Sequence, residues 1–171
     1  MSIKSLFLVS LSLLFVSAVP ASAQSRLGDL IVEYGYEWVA GKWVATTDDG
    51  QTIELEYKWG LDKHVILVDF KMGDFKYHGM IMFVPSREEI IQIGADNQGG
   101  TSKGTWGDDY TGAALSMETT KLDGTIEKSE MVQSKVDNDT MKMAVYDVDS
   151  YGYRNSTAKG TLTFKRKAEK K

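Results

Sequence analysis

HVILVDFKMGDFKYHGMIMF, residues 64–83, is the stretch whose reading decides the fold. Two apolar-rich runs flank Met72-Gly73-Asp74-Phe75, and Gly73-Asp74 suits a two-residue hairpin turn. That turn sets the register. Met72 then faces Phe75, Phe70 faces Tyr77, Val68 faces Gly79, Ile66 faces Ile81 and His64 faces Phe83. This face is almost wholly apolar and is expected to point inward. The opposite face pairs Lys71 with Lys76, Asp69 with His78, Leu67 with Met80 and Val65 with Met82. The chain's two histidines therefore fall on opposite faces of one ribbon and cannot share a metal ion. His78 is expected outside beside Asp69, and His64 inside, at the end of the inner face near a barrel mouth.

The same logic extends in both directions. Upstream, QTIELEYKW alternates Ile53, Leu55, Tyr57 and Trp59 with Thr52, Glu54, Glu56 and Lys58. A three-residue loop at Asp48-Asp49-Gly50 places Trp43 opposite Leu55; a two-residue loop would set Trp43 against Glu56, so the apolar pattern selects the first register. Downstream, the turn at Asp123-Gly124 pairs Leu115 with Met131, Met117 with Ser129 and Glu118 with Lys128. The turn in VDNDT then pairs Met131 with Val145, Gln133 with Met143 and Lys135 with Met141. One face thus gathers Leu115, Met117, Met131, Met141, Met143 and Val145 around Ser129 and Gln133. Glu127 falls toward the interior at one end.

About ten strands are expected, over 41–47, 51–59, 64–72, 75–84, 88–95, 100–106, 110–120, 125–136, 140–147 and 157–166. Only Leu27, Leu30, Ile31, Tyr34 and Trp38 recur at helical spacing, and Gly28 and Gly35 shorten that helix. Many short strands joined by tight turns predict an all-β fold, an antiparallel up-and-down β-barrel with a short N-terminal helix; a sandwich is the alternative.

The chain opens with a basic residue, Lys4, an apolar run from Leu6 to Val19 and the small-residue site Ala21-Ser22-Ala23. Residues 1–23 read as a secretory signal peptide, cleaved near Ala23, which predicts a periplasmic or secreted protein. Residues 24–171 then form a single barrel domain, with 165–171 a basic tail. No later apolar run is long enough to span a bilayer as a helix. Net charge is −4, and five of the cations sit in the tail KRKAEKK, so the body is more acidic still. An acidic body excludes nucleic acid as the expected partner. Cysteine is absent from the sequence, which removes thiolate nucleophiles, zinc-thiolate sites and disulfides.

WVAGKW, Trp38–Trp43, sets Gly-x-Trp at the start of the first strand, just after a short helix. In this placement it resembles the calycin superfamily, which includes lipocalins, fatty-acid-binding proteins and nitrobindin-like haem barrels. More closely, it is similar to small bacterial exported lipocalin-like proteins that begin with W-x-x-G-x-W. The resemblance covers the whole barrel in pattern and this motif in residues. It implies a ligand-holding barrel in which Trp43 plugs the closed end. Two departures matter: a lipocalin disulfide is impossible here, and nitrobindin-like barrels use a histidine late in the chain, whereas none follows His78. No haem or other cofactor is expected.

Trp43, Tyr57, Phe70 and Tyr77 give the inner face shape, and Met117, Met131 and Met143 make it adaptable. With His64, these are the candidate ligand-binding residues, and a small apolar molecule is the expected partner. Ser129, Gln133 and His64 are candidates for orienting a polar end. Catalytic residues are not assigned. Asp69 and His78 form the only Asp–His couple, and the register puts them outside, so a hydrolase or isomerase is the least favoured reading. DVDSYG departs from a calcium loop at Tyr151 and Ala158, and GGTSKGT lacks the phosphate-loop order, so no metal site is expected. The polar stretch Asp147–Thr157 is a surface loop, or a lid if it lies over the mouth. The alternative to a ligand-binding barrel is an envelope interaction module with a filled core.

Overall fold

The computed structural model describes residues 26–168. The signal-peptide reading and the last three residues of the basic tail lie outside them. Ten antiparallel strands follow one another around a closed barrel: β1 (Gly41–Thr46), β2 (Thr52–Gly60), β3 (Val65–Met72), β4 (Phe75–Val84), β5 (Glu89–Asp96), β6 (Thr101–Asp109), β7 (Gly112–Thr120), β8 (Ile126–Lys135), β9 (Thr140–Asp147) and β10 (Gly160–Arg166). Each strand pairs with its sequence neighbours, and β10 returns to β1. The up-and-down barrel holds, and the sandwich does not.

The turns place side chains as their chemistry predicts. Trp43 lies opposite Leu55, Phe70 opposite Tyr77, Leu115 opposite Met131, and Gln133 opposite Met143. Gly73 takes φ 58°, the left-handed conformation that a two-residue hairpin turn needs. Ile53, Leu55, Tyr57, Ile66, Val68 and Ile81 are buried inside, joined from the closing strands by Met141, Met143 and Phe164.

The N-terminal helix α1 (Leu27–Glu33) is shorter than the apolar spacing suggests. It stops at Gly35, φ 73°, and a 3₁₀ turn (Glu37–Val39) carries Trp38 into β1. Leu27 and Ile31 are buried against the barrel, so α1 and the 3₁₀ turn cover one end, the capped end. The other, the hairpin end, carries the tips at Gly73-Asp74, Gly99 and Gly124.

Two expectations need correction, those for His64 and Glu127. His64 does not pair with Phe83 or point inward. β3 begins at Val65, and His64 is exposed, following the turn Leu61-Asp62-Lys63 in which all three residues have positive φ (46°, 51° and 67°). Such left-handed backbone costs on the order of 1 kcal/mol per non-glycine residue, and it rotates His64 out of the inner row. Glu127 is also exposed, bound to Lys121 across the β7–β8 turn rather than turned inward. The loop between β9 and β10 takes the surface-loop course, not that of a lid. Arg154 pins it to the outer wall, donating to Asp109 (2.9 Å) and Glu130 (2.6 Å) with its guanidinium 4.6 Å from the Tyr146 ring centroid.

His78 lies outside, hydrogen-bonded to Asp69, as the register requires. The outer wall of β3–β5 is less polar than a solvated face usually is. Leu67, Met80 and Ile93 form one row across it, with Leu67 and Ile93 exposed.

Candidate functional site: a lumen divided by Tyr57 and Gln133

Alternation in β2 points Tyr57 inward, and alternation in β8 does the same for Gln133. These strands are not neighbours in the sheet. The two side chains meet across the lumen, where the Gln133 Nε2 amide donates to the Tyr57 hydroxyl. This bond is a crossbar. It is enclosed: Tyr57 is 4% exposed and Gln133 2%. Burial pushes the Tyr57 phenol far above its usual pKa, so it stays protonated. The Oε1 atom of Gln133 is buried with no hydrogen-bond partner.

A cavity lies on each side of the crossbar, and Tyr57 and Gln133 line both. The larger, about 390 Å³, runs toward the capped end and is bordered by Leu30, Tyr36, Trp38, Phe83, Ile90 and Trp106. The smaller, about 200 Å³, runs toward the hairpin end between Leu55, Val68 and Phe70 on one wall and Met117, Met131 and Met143 on the other. The N-terminal segment therefore roofs the larger cavity, while hairpin-end residues such as Phe75, Asp96 and Thr119 border the smaller.

The wall formed by β4–β6 holds a second polar chain. Gly79 and Gly94 are paired across β4 and β5, and the Tyr77 ring lies over both. A Cβ on Gly79 would sit 2.6 Å from the Tyr77 hydroxyl, and one on Gly94 would overlap the same ring. Two side-chain-free positions thus let an aromatic ring lie along the wall. The Tyr77 hydroxyl accepts from Gln92 Nε2 (3.2 Å) and Ser102 Oγ (3.0 Å), and Gln92 Oε1 accepts from Trp106 Nε1 (3.1 Å). Gln92 is itself buried, so its amide is held on both sides.

Carboxylates stand at the borders: Glu88 and Asp108 at the larger cavity, Asp96 at the smaller. Asp96 is engaged by the backbone N–H groups of Gln98 and Gly100. Tyr36 donates to Asp108 (3.3 Å), and burial together with that carboxylate raises its pKa. Neither cavity is bordered by a lysine, an arginine or a histidine.

Of the residues singled out from sequence, Tyr57, Phe70, Tyr77, Met117, Met131 and Met143 border the smaller cavity, and Tyr57 borders the larger as well. Trp43 borders neither. It is buried beside the 3₁₀ turn, donating from Nε1 to Val39 O (2.9 Å) and meeting Trp38 edge-on. His64 borders neither, and of the three polar candidates only Gln133 reaches a cavity. Gln92, Ser102 and Trp106 were missed. The signal for them was present: continuing the register from Ile81 to Gln92 gives β5 an inner face of Ile90, Gln92, Gly94 and Asp96, too polar and too small for plain core.

Among the described residues no three acidic or histidine side chains gather as a metal site would, and no helix is long and apolar enough to cross a membrane. What the interior can do is enclose an apolar molecule and offer it a few fixed neutral hydrogen-bonding groups. No protein-family model matches this sequence, and the search of curated proteins gives no match.

Proposed function

We propose that this chain is a calycin-like binding barrel that holds a small, mostly apolar molecule without covalent chemistry. The observation that carries the reading is the methionine-walled cavity itself. Met117, Met131 and Met143 face Leu55, Val68 and Phe70 across about 200 Å³ of open space, which a filled core would occupy. The W-x-x-G-x-W motif, with Trp43 buried under the N-terminal segment of a closed ten-strand barrel, supports the calycin-like assignment. The leader over residues 1–23 supports periplasmic or secreted location.

Titration with the neutral fluorophore N-phenyl-1-naphthylamine tests binding. The native protein is expected to enhance its emission saturably, and Met131→Glu to abolish that enhancement while the protein still melts cooperatively. A carboxylate at position 131 would be desolvated without a partner. No enhancement by the native protein, with loss of folding in the variant, would leave the second reading. That reading is an envelope interaction module working through its outer wall, and the row of exposed Leu67, half-buried Met80 and exposed Ile93 favours it. N-terminal sequencing of the protein recovered outside the cytoplasm tests the leader, with Gln24 the expected first residue.

A further inference from the structure

Within that binding reading, on which this inference rests, the crossbar selects among apolar molecules. The Gln133 amide has one atom bonded to Tyr57 and one atom, Oε1, buried and unpartnered. A phenol that accepts the amide N–H also keeps its own proton to give. The pair therefore presents one free acceptor, Oε1, and two free donors, the phenol O–H and the second amide N–H. Rotating the amide by half a turn does not change this balance. Tyr57 would then donate to Oε1, leaving both amide N–H groups to give and a phenol lone pair to receive. In either orientation an unmet donor and an unmet acceptor stand together at the junction of two apolar cavities.

The groups that satisfy both at once are few. A hydroxyl gives one hydrogen bond and receives others through a single atom; a primary amide does the same through two. A carboxylate only receives, so it leaves Oε1 unmet, and it brings a charge into a space bordered by the acidic residues Glu88, Asp108 and Asp96 and by no lysine, arginine or histidine. An ammonium only gives. An alkane leaves Oε1 as it stands, desolvated and unpaired. We propose that the ligand of this barrel is an uncharged amphiphile carrying a hydroxyl or primary amide, seated on Tyr57 and Gln133 with its hydrocarbon in the flanking cavities. An anionic fatty acid is disfavoured, because it would leave Oε1 unpaired and its charge without a cation.

Three probes of one chain length test this: decan-1-ol, decane and decanoate, each measured by displacement of N-phenyl-1-naphthylamine at neutral pH. The expected order is decan-1-ol first, by roughly tenfold over decane, with decanoate weakest. Gln133→Met, close in shape and without the amide, is expected to remove the alcohol's advantage while decane binds at least as well as before. Tyr57→Phe is the second variant, should the first fail to fold, and is expected to act in the same direction. If alcohol and alkane bind the native protein equally, a resident water satisfies the crossbar and the head-group inference falls while the pocket stands. If decanoate matches or exceeds decan-1-ol, the charge argument is wrong. If neither the fluorophore nor any of the three binds, the binding reading fails and this inference with it.

Discussion

The Arg166 guanidinium lies over the Trp43 ring, 4.1 Å from its centroid, and joins the last strand to the first. The two residues are also paired in the β1–β10 ladder, where Trp43 with Arg166 and Val44 with Lys165 are the only register pairs. Side-chain bonds reinforce this short seam. Arg166 donates to Trp38 O (2.7 Å), Ala40 O (2.9 Å) and Asn138 O (3.1 Å), binding the 3₁₀ turn and the β8–β9 turn to the barrel wall.

Arg166→Ala is expected to destabilise the protein by about 2–4 kcal/mol, since three carbonyls lose a charged donor and the ring loses its cation. Arg166→Lys recovers little, because one ammonium cannot reproduce the planar fork. Gly41→Ala acts on the same contact: its Cβ would lie 2.5 Å from Arg166 Nη1, at a backbone φ of 129°. Urea denaturation reads all three variants. Wild-type midpoints for Arg166→Ala would remove the seam from any role in stability.

Gly94→Ala is expected to lift the Tyr77 ring off the wall, because the new methyl group would lie where the ring now rests and 2.5 Å from His78 O. The displaced ring has the smaller cavity to move into. Fluorophore binding should weaken by roughly tenfold or more, alongside a stability loss of about 1–3 kcal/mol from overpacking. Ser102→Ala, which removes one bond to the same hydroxyl without adding bulk, is the control and should leave binding within about threefold. Undiminished binding in Gly94→Ala would show that the ligand does not use this side of the crossbar.

The Arg154 clamp should respond to acid. The Thr111 backbone N–H and hydroxyl, followed by Arg154, hold the Asp109 carboxyl below the usual aspartate range. Its contribution is therefore full above the unfolded-state value of about 4 and is lost as pH falls through the lower folded value. Asp109→Asn is expected to melt below wild type at pH 7, and the gap should close as pH falls below about 4, through the lowered folded-state value. A gap that stays constant to low pH would mean that the carboxylate's charge does not contribute.

His78→Ala is expected to change stability by no more than about 0.5 kcal/mol, despite the bond to Asp69. The imidazole is 78% exposed, and a surface pair of this kind contributes little. Thermal melting is sufficient; a drop of several degrees would assign this pair a structural role.

Much of the barrel was legible because strand alternation and turn chemistry reinforce each other. Gly73-Asp74 alone fixed the face of every residue from Val65 to Met82, and the turn before Thr140 did the same for Gln133 and Met143. His64 was lost because nothing in Leu-Asp-Lys announces three consecutive left-handed residues. That turn is held by tertiary context and carries no glycine. Trp43 was assigned a cavity role from its inward register, but a ring turned inward beside the 3₁₀ turn and covered by Arg166 is packing, not lining. The larger cavity could not be read at all. Its roof comes from Leu30, Tyr36 and Trp38, whose placement depends on how the N-terminal segment folds back over the barrel end.

The two-pair seam also bears on the order of assembly. Nine of the ten strand pairings join neighbours in the chain and can zip one hairpin after another. The tenth must bring residue 43 to residue 166. Its loop-closure entropy is the largest in the molecule, so this step has the highest sequence separation and belongs late in folding. Until it happens, β1 and β10 are both open edges, each offering unpaired backbone groups to any other chain nearby. Arg166 therefore serves the folding chain as a latch that ends this exposed interval. A protein shortened before it should show its defect first as self-association during refolding, ahead of any loss in the ladders already formed.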